Sequence, residues 1–270
     1  MSFSFGRPRC GGLAAVFGLV VEELADQVFQ HHGRLRLRDH VAVGQVFHVA
    51  AGLDADVLVA QQTGGQGGDV LMQMLLAREL ARSLGGLAWI WGITSFAGSK
   101  SIGLYGSPEQ KAKFLPEIAA GRLKAAISFT EPGGGTDLLG NLATAAERVD
   151  GGWVLNGEKI WSSSAHVADY LLCIARTDKT VEKKHQGLTL FWVPAASEGV
   201  KITPLPKLGM RSMGSCTVVY NNVFVADANV LAEPNKAWYT LLPTLNNERI
   251  MVGAFCLGVI DGVLEDALAY

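Results

Sequence analysis

Two stretches of this chain combine residue types that could hold a flat heterocycle. The first is Thr130-Glu131-Pro132-Gly133-Gly134-Gly135-Thr136-Asp137, in which Thr130 ends a β-rich run and a proline–glycine turn follows. Such a turn exposes several backbone N–H groups, which could meet the edge of a flavin or a thioester-bearing ligand. The second is Asn156-Gly157-Glu158-Lys159-Ile160-Trp161-Ser162-Ser163. There Trp161 offers a flat wall, and Ser162 and Ser163 offer hydroxyl donors. A flavin needs this set: an apolar wall, donors toward N5 and the pyrimidine edge, and a place for phosphates. Each piece alone also has a plainer reading, with Glu131-Pro132-Gly133 as a tight turn and Trp161 as core.

The elements that must position these residues separate by period. Up to about residue 122 the apolar spacing is mostly helical. The clearest helix is expected over 69–84, with Asp69 as N-cap, with Val70, Leu71, Met74 and Leu75 on one face, and with Gly85-Gly86 ending it. Residues 63–68 hold too much glycine for a helix and read as a loop, not a phosphate-cradling one, because no Gly-Lys-Ser/Thr follows. Pro108 and Pro116 are expected to bracket another short helix. From about 123 to 232 the period becomes two, with β-rich runs at 125–129, 153–155, 170–175, 188–193 and 217–225. Asp150-Gly151-Gly152, Asn156-Gly157, His185-Gln186-Gly187 and Asn221-Asn222 read as turns between them. Strands at this spacing imply an antiparallel barrel or sandwich. One long apolar helical pattern follows from about Lys236 to Tyr270, and a helix so apolar needs a partner to cover it.

The bulk properties exclude several classes. The chain has 270 residues and is 49% hydrophobic but only 18% charged, so either its core is large or apolar surface meets a partner. A net charge of −2 gives no case for nucleic acid, and the cluster Arg34, Arg36, Arg38 fits a strand edge or loop as well as a basic patch. Cys10, Cys173, Cys216 and Cys256 lie far apart, so neither a zinc site nor a disulfide framework is expected, and a reducing compartment is the default. The six histidines show no metal-binding spacing, and His31-His32 reads as a helix end. No apolar run reaches the roughly 20 residues that span a bilayer. Residues 11–21 are apolar behind Arg7 and Arg9, but Glu22, Glu23 and Asp26 follow at once, which favours a helix over a secretion signal.

Taken together, the motifs resemble those of the acyl-CoA dehydrogenase family, from about Val59 to Tyr270. The family's TEPGxGSD motif stands at 130–137 with Thr136 for serine, and its NGxKxWIT motif at 156–163 with Ser162-Ser163 for Ile-Thr. Ala168-Asp169, Gly187-Leu188-Thr189, Lys207-Leu208-Gly209-Met210-Arg211 and Asn246-Asn247-Glu248-Arg249 match further blocks in order.

This resemblance implies an α+β chain. Residues 1–122 would form a helical N-terminal domain, 123–234 an antiparallel β-barrel or sandwich that binds flavin and acyl-CoA, and 235–270 the first helix of a C-terminal helical bundle. The chain is expected to be truncated: the family continues with an Arg-Phe-Gly segment at the flavin phosphates and with the rest of the bundle, which also builds its homo-oligomer. Residues 1–57 look atypical, and both a shifted reading frame and an authentic divergent domain fit them.

The implied cofactor is FAD. Ile127, Phe129, Thr130, Gly135, Thr136, Trp161, Ser162 and Ser163 would line it, with Thr130 at the pyrimidine edge, Trp161 against the ring and Ser163 donating to N5. Thr136, Asn246 and Arg249 would contact an acyl-CoA substrate. The implied reaction removes a proton from Cα with a carboxylate while hydride leaves Cβ for flavin N5, and Glu248 occupies one of the family's two positions for that base. Glu248 as an ordinary helix residue stays open beside this. An electron-transfer flavoprotein would be the acceptor, and the cytoplasm of a bacterium the setting, with the mitochondrial matrix as the alternative. A non-catalytic fragment, or a relative doing flavin monooxygenase or nitroalkane oxidase chemistry, are the alternatives.

Overall fold

The computed structural model describes residues 70–270. The expectations for residues 1–57, for the loop at 63–68, for Asp69 as a cap, for His31-His32 and for Cys10 lie outside the described residues. Helix α1 runs Val70–Thr94 and continues into a π-helical turn, Ser95–Lys100, then into α2, Ser101–Tyr105. The expected helix end near Gly85 is a break inside α1 instead, at Leu84, whose φ of −152° and ψ of 91° are not helical. The expected apolar face is corrected too. Leu71 and Leu75 are exposed, and Leu76, Ala77, Leu80 and Ala81 turn inward. Small residues on that inner side let a second helix approach closely.

Helix α3, Pro108–Ala119, starts at a reciprocal cap. The Gln110 backbone N–H donates to Ser107 Oγ at 3.2 Å, and the Ser107 N–H donates to Gln110 Oε1 at 2.8 Å. Pro108 fits the first turn, where its missing N–H costs nothing. Pro116 lies inside the helix rather than at its end.

Eight strands follow: β1 Ala125–Ser128, β2 Ala145–Val149, β3 Gly152–Ser163, β4 Tyr170–Arg176, β5 Leu188–Pro194, β6 Val200–Pro204, β7 Ser215–Ala226 and β8 Val230–Leu231. Their order is β6-β7-β3-β2-β4-β5-β8, with β1 alongside β4. The pairing is antiparallel except for β1 with β4 and one residue pair of β2 with β4, so the sheet is mixed. Strands β2, β6 and β8 carry no apolar alternation strong enough to read from the sequence. Asn156-Gly157 and Asn221-Asn222 do not separate strands. They lie within β3 and β7 at an irregular register, where Asn222 donates its backbone N–H to Asn156 Oδ1 at 2.8 Å.

Strands β4 and β5 are buried on both faces, which explains their unbroken apolar runs. Leu172, Ile174, Leu190 and Trp192 point to a core shared with Phe96, Phe114 and Ile118. Leu171, Cys173, Phe191 and Val193 point to the sheet's other core, with Trp153, Val218 and Tyr220. Helix α4, Ala237–Ala269, packs along α1. Arg78 pairs with Asp261 and Arg82 with Glu265 across that seam. Among the described residues no helix is long and apolar enough to cross a membrane.

Candidate functional site

The glycine-rich turn is fixed at its base and open at its tip. Glu131 is buried and accepts hydrogen bonds from the Ala143 N–H at 2.6 Å, the Thr144 N–H at 2.9 Å and Lys159 Nζ at 2.8 Å. Burial works to raise the Glu131 carboxyl, but the Lys159 ammonium and these hydrogen bonds hold it below the usual carboxylate range. Lys159, fully buried, also donates to the Phe129 carbonyl at 3.0 Å. Beyond this base Gly135 and Thr136 are exposed, and nothing stands within 4 Å of a Cβ placed at Gly133 or Gly135. Glu131 and Lys159 stand inside the two sequence motifs but were not among the expected site residues. A carboxylate and an ammonium of opposite charge, one in each block, were the signal available.

Strand β3 presents Trp161 beside this turn. The strand's register against β7 shifts between Lys159 and Ser162, and Trp161 holds a left-handed φ of 60°. A bulge of this kind re-aims a side chain. Trp161 is 57% exposed, so it is not part of the core. The Ile160 N–H donates to the Thr130 carbonyl at 2.8 Å, which ties the strand to the turn next to the indole. Thr130 and Ser163 are half-buried. Ser162 turns inward instead, its Oγ lying 3.5 Å from Ser128 Oγ, which also accepts from the Tyr220 hydroxyl at 2.8 Å.

Glu248 sits elsewhere, on α4. Thr244, Glu248, Met251 and Phe255 recur at helical spacing, and all but Glu248 are buried. The half-buried Glu248 borders two shallow depressions. One is apolar, lined by Trp89, Phe96, Ile127, Met251 and Phe255. The other carries Gln73, Lys100, Thr244 and Asn247. Phe129 reaches this region through Phe96, their ring centroids 6.5 Å apart. Burial pushes the Glu248 carboxyl above its ordinary range, outweighing the opposing pull of the neighbouring Arg249 charge. Lys100, at the end of the π-helical turn, is likewise pulled down by burial. Such turns recur at functional sites.

The structure therefore brings Ile127 and Glu248 to one depression, with Phe129 behind it against Phe96, and sets Thr130 and Trp161 beside the open tip at Gly135 and Thr136, while Ser163 lies half-buried on β3 opposite Ser215. Asn246 and Arg249 are not in the Glu248 depressions. Arg249 is exposed and donates to Asn246 Oδ1 at 2.8 Å on the flank of α4. Among the described residues no group of three or more His, Cys, Asp or Glu could hold a metal ion.

Comparison with known proteins puts these pieces in one family. Residues 16–122 match the family model "Acyl-CoA dehydrogenase, N-terminal domain", and residues 126–223 match "Acyl-CoA dehydrogenase, middle domain". The first match begins well before Val59. An isovaleryl-CoA dehydrogenase of Arabidopsis thaliana is 32% identical over 79% of this chain and 52% of its own length. The butyryl-CoA dehydrogenase structure from Megasphaera elsdenii superposes with a TM-score of 0.78 at 30% identity, over 86% of this chain and 60% of that one. An acyl-CoA dehydrogenase from Bacillus anthracis, solved in complex with FAD, gives a TM-score of 0.74 at 30% identity, over 89% of this chain and 40% of that one. The chain spans about half the length of the curated relatives it matches. With two domain models of one family matched in succession, and with the fold shared, this chain belongs to the acyl-CoA dehydrogenase family.

Proposed function

We propose that this chain carries the flavin face and the proton-accepting carboxylate of an acyl-CoA α,β-dehydrogenation. The observation that carries the reading is Glu248, a half-buried carboxyl raised above its usual range and bordering an apolar depression shared with Ile127, Phe96 and Met251. The α-proton of a thioester is weakly acidic, so a base that stays basic in a dry place suits its removal. In this reading Glu248 takes the proton from Cα of an acyl group laid in the apolar depression.

FAD is the proposed cofactor, and the residues present fit it. Trp161 offers an exposed ring held by a bulge, and the glycine turn beside it is open where side chains would otherwise stand. Bound FAD would supply the acceptor for the hydride leaving Cβ. Trp161 would wall it and Thr130, Gly135, Thr136 and Ser163 would border it. Ser162, turned toward Ser128, would act through its backbone. Asn246 and Arg249 would meet the exposed part of the acyl-CoA, and an electron-transfer flavoprotein would be the next electron acceptor.

A second reading, a flavin- and acyl-CoA-binding chain without turnover of its own, is favoured by the exposed apolar face of α4. One experiment separates the two. The purified chain is mixed with FAD and then with a panel of acyl-CoA thioesters while the visible flavin absorbance is followed. Bleaching by one thioester, lost in Glu248→Gln, is the expected result. Bound flavin that no thioester bleaches would leave the second reading, and no bound flavin would sink both.

A further inference from the structure

Residues 128–131 are stitched to β3 one after another. The Ser128 hydroxyl meets Tyr220 and Ser162, the Phe129 carbonyl accepts from Lys159, the Thr130 carbonyl accepts from Ile160, and the Glu131 carboxylate pairs with Lys159. Formally β1 pairs only with β4. The connection from the glycine turn to the strand that presents Trp161 therefore runs through one backbone hydrogen bond, from Ile160 to Thr130, and otherwise through side chains, with one ammonium at its centre. Lys159 and Glu131 are almost wholly removed from water, at 0% and 6% exposure of their side chains. A buried pair of this kind is weak evidence for stability, since a matched neutral pair can serve the fold as well. What its geometry does specify is position. The Lys159 ammonium fixes the Phe129 carbonyl at the entry of the turn and the Glu131 carboxylate inside it, and Glu131 fixes the exit at Ala143 and Thr144.

We propose that the Lys159–Glu131 pair is a positioning element that sets the glycine turn and the Trp161 bulge relative to each other. Its bearing on FAD rests on the function proposed above, but the coupling of the two segments does not. Neither residue reaches the open face of the turn, so neither acts on the reacting atoms.

The test uses the full chain, its Lys159→Met and Glu131→Gln variants, and the double variant E131Q/K159M. The double variant removes both charges together and so keeps the question open if a single variant, left with an unpaired charge, fails to fold. Residue-resolved amide exchange is measured without cofactor. In the double variant, exchange at Ile160, the N–H that bonds Thr130, and at Ala143 and Thr144 is expected to quicken about tenfold or more, while amides of β5 keep their wild-type rates. Equal change in β5 would mean general loosening, and no change at Ile160 would mean that the pair holds nothing there; either overturns the proposal. FAD affinity is then read by titration. Weaker binding in the double variant by roughly tenfold, about 1.4 kcal/mol, extends the positioning role to the cofactor. Unaltered affinity confines it to the apoprotein and overturns that extension. A wild-type chain that binds no FAD sinks the proposed function, and the exchange rates still decide the coupling.

Discussion

Burial raises the Glu248 carboxyl, so its charged form is the disfavoured one in the folded chain. An acid with a raised folded pKa stabilises the fold while it stays protonated, fully below its unfolded pKa, and this contribution is lost as pH rises through the folded value. Glu248→Gln keeps the shape and removes the charge. It is expected to raise the melting temperature at about pH 8 and to leave it close to wild type near pH 4, while abolishing bleaching by acyl-CoA. Turnover of the unaltered chain should rise with pH through the same carboxyl. Melting curves at the two pH values check the burial, and a variant that still turns over would remove Glu248 from its role. Trp161 makes a second case. Its left-handed backbone costs a bulky residue roughly 1–2 kcal/mol, and its exposed ring recovers little of that in packing. Trp161→Gly is therefore expected to leave urea stability unchanged or raised by up to about 1 kcal/mol while lowering flavin retention. Lost stability would mean that the ring is held for packing. Tryptophan and its neighbouring serines were legible as residue types. Which of them faces outward was not, because one bulge between Lys159 and Ser162 decides it, and the motif alone carries no sign of the bulge.

At the scale of elements, the strands with unbroken apolar runs, β1, β4 and β5, were readable, because burial on both faces leaves little polar alternation to confuse, and β7 was readable from its valines and aromatics although its burial alternates. The Asn-Gly and Asn-Asn pairs misled for a physical reason. They report a need for a left-handed backbone, and a bulge satisfies that need as well as a hairpin does: Asn222 has φ 54° and Gly157 φ 153° within paired strands. The inner face of α1 was misread because helical spacing alone offers two apolar faces, and the choice is made by α4. Gly258 records that choice. A Cβ there would lie 2.1 Å from the Arg78 carbonyl oxygen and 2.9 Å from Ala81 Cβ, whereas nothing lies within 4 Å of one at Gly253 on the same helix. The same substitution should thus act with opposite sign at the two sites. Gly253→Ala is expected to stabilise by about 0.8–1 kcal/mol, the ordinary helix-propensity gain. Gly258→Ala gains as much from propensity, but must push the α1 and α4 backbones apart, and crowding of that kind costs about 1–3 kcal/mol, so a net loss is expected. Urea midpoints for the two variants settle it, and a stabilising Gly258→Ala would mean that α1 and α4 do not approach this closely in solution.

For the whole molecule the governing feature is the face of α4 turned away from α1. Ile250, Leu257, Ile260, Leu264 and Leu268 recur along one side of the helix, each more than half exposed. The sequence already implied that so apolar a helix needs cover, and α1 supplies it on one side only. Scattered apolar residues on a surface need no explanation, but a continuous stripe does. The net charge of −2 gives little long-range repulsion to keep copies apart. Association at rising concentration is therefore expected. It should be relieved by charges placed on the stripe, since Leu257, Ile260 and Leu264 contribute no buried side chain to the described core. The variant L257E/I260E/L264E is expected to sediment as a monomer across a concentration series in which the unaltered chain grows heavier, with the same far-ultraviolet circular dichroism and the same urea midpoint to within about 0.5 kcal/mol. Either of two results would count against this. An unaltered chain that stays monomeric would show that the stripe does not drive association. A variant that loses its urea transition would show that these side chains support the fold itself, and that the cover they need lies within the chain.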